Sequence, residues 1–270
     1  MREGRALSPG QAALLALVLA YLGLILLLPL GAMALRALEA GPAMLLAIFS
    51  DEAAMEGLGL TLVLALIALA ANGLFGVGAG LVLVRHRFLG RKLLDALVDL
   101  PLAVSPVMTG LAFLLVFGRG GWLEPWLEVA GLKVSFAFPG LVLATLFVTF
   151  PFTLREVAYV LIELGTDEEE AAVTLGASRL TLLTRVLLPP LAPAIAAGAI
   201  QTFARAVAEF GSIAAVSGNV PGRTLVAPVY VLGEVEGGDV PAAAAVSVAL
   251  LTLSLALHPA ARRLGGVQRA

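Results

Sequence analysis

The chain has 270 residues, 60% of them hydrophobic and only 13% charged, with a formal net charge of −2. These proportions exclude an ordinary soluble globular domain. The absence of cysteine excludes disulfides and thiolate metal ligands, and so small a net charge says nothing about partners.

Apolar runs approaching the roughly 20 residues that a bilayer requires recur six times, near 12–35, 58–84, 97–117, 136–154, 191–216 and 240–257. They predict an all-α, polytopic membrane protein with six transmembrane helices, the last slightly short. No soluble domain, repeat or low-complexity tract interrupts them, so residues 1–270 form one membrane domain. Arg2 and Arg5 precede the first run, and Ala32-Met33-Ala34 mimics a cleavage site. The run exceeds a usual signal core, which predicts an uncleaved anchor. Segment 36–57, with Glu39, Asp51, Glu52 and Glu56, is expected to lie along the membrane surface. Gly73, Gly76, Gly78 and Gly80 in the second span permit close helix approach, although an apolar helix that merely tolerates glycine explains them nearly as well.

Asp95 and Asp99 open the third span and are expected to be solvated or helix-capping. Pro101, Pro106, Pro139 and Pro151 predict bends in the third and fourth spans, either lining a cavity or simply kinking an ordinary bundle. A polar stretch follows. Thr166 with Glu169 spells a capping box, and Asp167, Glu168, Glu169 and Glu170 crowd the positive end of a helix dipole. Gly176 suits a left-handed stop. Ala171 and Ala172 keep one face slim enough to enter a groove, unless they only reflect an alanine-rich chain. In the fifth span Arg205 and Glu209 are four residues apart, hence on one helical face. At that depth charges face the bundle interior or a wet route, so they form either a structural pair or a gate. Residues 217–224 read as a turn-rich loop. His86 and His258 lack any partner at metal-ligand spacing and are expected to be interfacial or structural; no metal site and no catalytic residue is indicated.

Basic residues orient the chain. With the N-terminus inside, twelve fall on the cytoplasmic side: Arg2, Arg5, Arg85, Arg87, Arg91, Lys92, Arg155, Arg179, Arg185, Arg262, Arg263 and Arg269. Four fall outside: Arg36, Arg119, Lys133 and Arg223. Both termini and the 155–190 segment are therefore expected in the cytoplasm.

That segment carries Glu170-Ala171-Ala172, three residues, Gly176, nine residues, Val186, one residue, Leu188-Pro189. The spacing resembles the EAA loop of ABC importer permeases, with Val186 where Ile is usual. The resemblance implies a type I importer permease fold whose cytoplasmic coupling helix, in a loop at about 160–190, docks on an ATPase. It assigns coupling to Asp167, Glu168, Glu169, Glu170, Ala171, Ala172, Leu175, Gly176, Ala177 and Ser178.

Further blocks are similar to the sulfate/thiosulfate subgroup, chiefly its W-type subunit, between about 58 and 257. They are Asp99-Leu100-Pro101-Leu102-Ala103-Val104-Ser105-Pro106-Val107, Gly121-Trp122-Leu123-Glu124-Pro125-Trp126-Leu127 and Phe147-Val148-Thr149-Phe150-Pro151-Phe152. Ala204-Arg205-Ala206-Val207-Ala208-Glu209-Phe210-Gly211 and the 217–224 loop continue the match, with Ala208 where the family usually has Gly. The resemblance implies a gate at Arg205, Glu209, Phe210, Gly211, Ser212, Ser105 and Pro106. It also implies an ATPase pair, a second permease subunit (a T-type relative or a second copy) and an extracytoplasmic sulfate-binding protein, in a prokaryotic inner membrane. No nucleic acid is implied.

Only Lys92 and Lys133 are present and neither follows a glycine, so the Gly-Lys step of a P-loop is missing. ATP and magnesium would then sit on the partner, and this chain would bind no cofactor. An external engine is needed, because moving a dianion inward against a negative-inside potential costs roughly 4.6 kcal/mol per 100 mV. A molybdate or tungstate importer is the alternative. An integral membrane enzyme is more distant, since HExxH, Gly-x-Ser-x-Gly and clustered intramembrane aspartates are all missing. A membrane scaffold would leave the EAA spacing to chance.

Overall fold

Where the apolar runs are long, the chain forms helix, because helix satisfies every backbone group without water. The structure is a computed structural model that describes residues 8–39, 41 and 48–256. Arg2, Arg5, His258, Arg262, Arg263, Arg269 and the end of the sixth predicted span lie outside the described residues.

Helix α1 (Pro9–Glu39) starts at a capping box in which the Gln11 N–H donates to Ser8 Oγ and the Ser8 N–H to Gln11 Oε1. Helix α2 (Glu52–Arg85) is capped by Asp51, whose Oδ1 accepts from the N–H groups of Ala53 at 2.9 Å and Ala54 at 3.2 Å. Glu52 and Glu56 therefore belong to α2 and not to a surface segment.

The third predicted span is not one helix. It divides into α3 (Arg91–Val98), α4 (Leu100–Ala103) and α5 (Pro106–Phe117). Val104 and Ser105 are extended, with ψ of 137° and 136°; for Ser105 this is the conformation imposed on a residue preceding proline. Short helix α6 (Glu124–Val129) follows, then α7 (Phe138–Leu164), which runs ten residues past its predicted end and contains Pro151. Next come α8 (Asp167–Thr174) and α9 (Arg179–Val207), which includes a π-turn at Leu182–Leu187. The fifth predicted span also breaks, at 208–210, before α10 (Gly211–Val216). Helices α11 (Ala227–Gly237) and α12 (Val240–Ala256) complete the described chain, which has no strand among the described residues. Four helices, α1, α2, α7 and α9, are long and apolar enough to cross a membrane, whereas α5 and α12 are apolar but shorter. Six full-length crossings are thus not what the described helices show.

Helices α2, α7 and α9 pack against one another as the centre of the bundle. Glycine sets their spacing. A Cβ at Gly198 would lie 2.5 Å from Thr153 Cα, and one at Gly76 would lie 3.1 Å from the Leu154 nitrogen. Gly80 presses on Val157, while Gly73 and Gly78 meet nothing, so of the glycines at 73, 76, 78 and 80 only Gly76 and Gly80 serve contact. Polar pairs cross the same seam. The Asn72 amide donates to Thr149 Oγ1 at 2.8 Å and to the Leu146 carbonyl at 3.1 Å, and the Thr153 and Thr202 hydroxyls lie 3.1 Å apart. Each leaves no buried donor unpaired, which matters more than its own net strength. The C-terminal part of α1, Leu28–Glu39, packs on α12, but Pro9–Leu22 buries no residue against its own chain.

At the end of the bundle opposite α8, Tyr230 of α11 donates to Asp51 Oδ2 at 2.6 Å. That hydrogen bond, with the two capping N–H bonds, holds the Asp51 carboxyl below its usual range despite partial burial. Burial first, then the Asp51 contact, pushes the Tyr230 phenol up.

Two outcomes follow from this packing. Gly198→Ala forces backbone apart and should cost about 1–3 kcal/mol, whereas Gly73→Ala should be neutral; thermal unfolding in detergent distinguishes them. The Asp51 shift contributes stability above the unfolded carboxyl value and loses it as pH falls through the lowered folded one. The raised phenol contributes below its unfolded value and is lost as pH rises. The gap in melting temperature between wild type and Tyr230→Phe should therefore be full between about pH 4 and pH 10 and narrow on both sides.

Candidate coupling loop and gate

Helix α8 projects from one end of the bundle, joined to α7 through Gly165 and Thr166. Thr166 stands at the N-cap but its side chain makes no capping bond; its hydroxyl donates instead to Glu170 Oε1 at 2.8 Å. The expected capping box therefore does not form, because Glu169 is engaged elsewhere. Its Oε1 accepts from Arg85 Nε at 2.6 Å, with the two side chains only 13% and 17% exposed. Glu169 thus faces its own bundle, while Asp167, Glu168 and Glu170 remain exposed.

The other end of α8 stops as the sequence predicts. Gly176 has φ of +85°, its N–H donates to the Val173 carbonyl at 2.9 Å, and the Ala177 N–H donates to the Ala172 carbonyl at 3.0 Å. These two bonds are the Schellman closure. Ser178 then caps α9, accepting from the Thr181 N–H at 3.2 Å. Leu175, at the C-cap just before Gly176, is 88% exposed, an apolar side chain at the opposite end of α8 from its acidic first turn. Ala171 is exposed but Ala172 and Ala177 are half-buried, so the alanine pair does not share one open face.

The two helix breaks meet inside the bundle. A Cβ on Gly211 would lie 2.8 Å from Pro106 Cβ, and one on Gly110 would lie 2.8 Å from the Ser212 carbonyl oxygen. The N-termini of α5 and α10 therefore open at one junction, which unites Pro106, Gly211 and Ser212. Ser105 precedes it, exposed and without a capping bond. Arg205 Nη1 lies 2.6 Å from Glu209 Oε2, as their separation suggested, but not on one helix face. Helix α9 ends at Val207, so the fully buried Glu209 sits in the break and its Oε1 accepts from the Ser212 N–H at 3.0 Å and hydroxyl at 2.7 Å. Phe210 is 37% exposed beside it.

Asp95 and Asp99 are neither simply solvated nor capping. Arg155 donates from Nε and Nη2 to the two oxygens of Asp99, at 2.8 and 2.7 Å, and from Nη1 to Asp95 Oδ1 at 2.6 Å. This fork ties α3 to α7. Two carboxylates four apart are the signal that could have indicated a shared arginine. The Gln201 amide similarly donates to Glu156 Oε1 at 2.6 Å, joining α9 to α7; neither residue stood out in sequence. Trp122 and Trp126 are largely exposed, and His86 ends α2 in the open. Within the 217–224 loop, Ser217 and Thr224 are buried, and the Asn219 N–H donates to Ser217 Oγ.

A family model described as the binding-protein-dependent transport system inner membrane component matches residues 72–264. The chain is 41% identical over 231 residues to the sulfate transport system permease protein CysW of Synechococcus elongatus, covering 86% of this chain and 80% of that protein. It is 36% identical over 255 residues to the sulfate transport system permease protein CysT of Escherichia coli, covering 94% and 92%. Among solved structures, a bacterial alginate ABC transporter in complex with alginate pentasaccharide-bound periplasmic protein superposes with a TM-score of 0.78 over 94% of both chains, at 19% identity.

The buried half of the ion pair should dominate its energetics. Arg205→Met strands a carboxylate with no water access and should destabilise by about 3–5 kcal/mol. Glu209→Gln leaves an arginine that still reaches solvent and should cost less. Thermal unfolding of both variants in detergent measures the order.

Proposed function

This chain belongs to the family of binding-protein-dependent transport system inner membrane components, and we propose that it is a permease subunit of an ATP-driven sulfate importer. It is a multi-pass membrane protein and a translocation component, not an enzyme. The observation that carries the proposal is α8: a polar, Schellman-stopped helix held out at one end of an otherwise apolar bundle, with Leu175 exposed at its tip.

Docked on an ATPase subunit, α8 would receive motion driven by nucleotide hydrolysis. The acidic turn at Asp167, Glu168 and Glu170 and the apolar Leu175 supply a charged and a greasy contact, while Gly176, Ala177 and Ser178 fix the exit into α9. This requires α8 and both termini to be cytoplasmic, the side favoured by the basic residues. ATP and magnesium would reside on the paired ATPase subunits. An extracytoplasmic binding protein would deliver substrate, and a second permease would complete the pathway. CysW and CysT relatives are similar at comparable identity, which supports a W/T-type pair or a second copy equally. Sulfate, with thiosulfate as its near congener, is supported over molybdate or tungstate by the names of those relatives.

The gate is assigned to the junction of Ser105, Pro106, Arg205, Glu209, Phe210, Gly211 and Ser212. Non-helical backbone at membrane depth is tolerated where protein buries it or water lines it. The helix N-termini at that junction favour negative charge, while the charges of Arg205 and Glu209 balance each other there. Alternating access would open it to one side at a time.

Reconstitution with the ATPase, the second permease and the binding protein in proteoliposomes should give ATP-dependent uptake of labelled sulfate; ATP hydrolysis without uptake of sulfate would overturn the assignment. Gly176→Val meets no neighbour but strains a left-handed residue by about 1–2 kcal/mol. Membrane insertion should survive while uptake falls roughly tenfold.

A further inference from the structure

Arg85 is the last residue of α2, and its guanidinium reaches three points on another segment. Nη1 donates to the Leu161 carbonyl at 2.9 Å, Nη2 to the Gly165 carbonyl at 2.7 Å, and Nε to Glu169 Oε1 at 2.6 Å. These acceptors are four residues apart in turn. Leu161 lies in the last turn of α7, Gly165 is the joint, and Glu169 is in α8. One planar fork therefore spans the joint from the membrane helix to the projecting helix.

The joint itself is weak. Gly165 has φ of +65° and no side chain, and nothing lies within 4 Å of the point where a Cβ would stand; Thr166 gives the helix no cap. Leu161 is among the last carbonyls of α7, which have no partner within the helix, and a cation there is favoured by the helix dipole. Arg85 meets that need and locks α8 in the same act. On its far side α8 packs on the π-turn that opens α9. Without Arg85, a push on α8 would reach α9 but slip at Gly165 before reaching α2 and α7.

We propose that Arg85 is a positioning residue that makes α8, α2 and α7 move as one body, so that displacement of α8 is delivered to both membrane helices. This rests on the importer reading and adds to it the residue that conveys the motion. Glu169, which the sequence pattern placed among residues facing the ATPase, is instead the inner anchor of α8. Lysine cannot replace the arginine, because a single ammonium on a flexible stem lacks a fork that reaches all three acceptors.

The test uses the assembled complex in proteoliposomes and reads sulfate uptake per ATP hydrolysed. In Arg85→Gln and Arg85→Lys the complex should assemble and hydrolyse ATP, while uptake per ATP falls roughly tenfold, the scale of losing a charge-assisted hydrogen bond. Glu169→Ala keeps both carbonyl bonds and should fall less, and the double variant should be no worse than Arg85→Gln alone. A purely structural role would lower yield and leave the ratio unchanged, and an unchanged ratio in an intact Arg85→Gln complex overturns the proposal. If Arg85→Gln fails to assemble, Glu169→Ala decides by the same ratio. Failure of the wild-type complex to import sulfate would sink the importer reading rather than the clamp. Spin labels then decide the clamp. The chain has no cysteine, so Val173→Cys and Leu74→Cys report cleanly on α8 and α2. Their separation should hold constant on ATP binding with Arg85 present and change in Arg85→Gln; the same behaviour in both overturns the clamp.

Discussion

Interrupted backbone inside a membrane must be hidden from hydrocarbon, and the rest of this bundle is arranged around that constraint. Two helices break, before Pro106 and after Val207, and each break would leave unpaired carbonyl and N–H groups facing lipid. They are placed against each other instead. Gly110 and Gly211 carry no side chain, which lets α5 and α10 approach until Gly211 lies against Pro106 and Gly110 against Ser212. Glu209 then supplies, from the break itself, the acceptor that the Ser212 N–H needs, and Arg205 balances its charge. Remove either glycine and the two breaks separate; remove the carboxylate and α10 loses its first bond.

Surrounding this junction is a frame whose seams combine close contact with polar crosslinks. Gly76, Gly80 and Gly198 bring α2 and α9 onto α7, and Asn72, Thr149, Thr153 and Thr202 pair across the contacts so formed. Arginines then stitch the frame at the end that bears α8. Arg155 holds α3 to α7 through two aspartates, and Arg85 holds α2 to α7 and α8. The stiffness that a mechanical subunit requires comes from these crosslinks, since apolar contact alone gains little between helices already in lipid.

Much of this was legible in the residues. Run length located the apolar helices, and the spacing around Gly176 marked a left-handed stop that the geometry shows. Pro106 marked a bend, though not that the chain would divide there. What could not be read was long-range. Glu169 looked like the third member of a capping box because local pattern favours it, and a partner 84 residues earlier won. Asp95 and Asp99 looked solvated because Arg155 is 56 residues beyond Asp99. Arg205 and Glu209 were correctly paired, but i, i+4 spacing suggested one continuous helix where the chain breaks. Local periodicity registers the helix a residue belongs to, and charge on a helix end is decided by which other ends arrive nearby.

The N-terminal part of α1 is different in kind. From Pro9 to Leu22 no residue is buried by the rest of the chain, so no packing partner within the protomer constrains which apolar side chain stands at any position. As far as this protomer's own packing goes, selection there acts on greasiness and reach alone, and Leu, Val, Ala and Ile are interchangeable along that stretch. The central helices, fitted to each other at single-atom tolerance, have no such latitude.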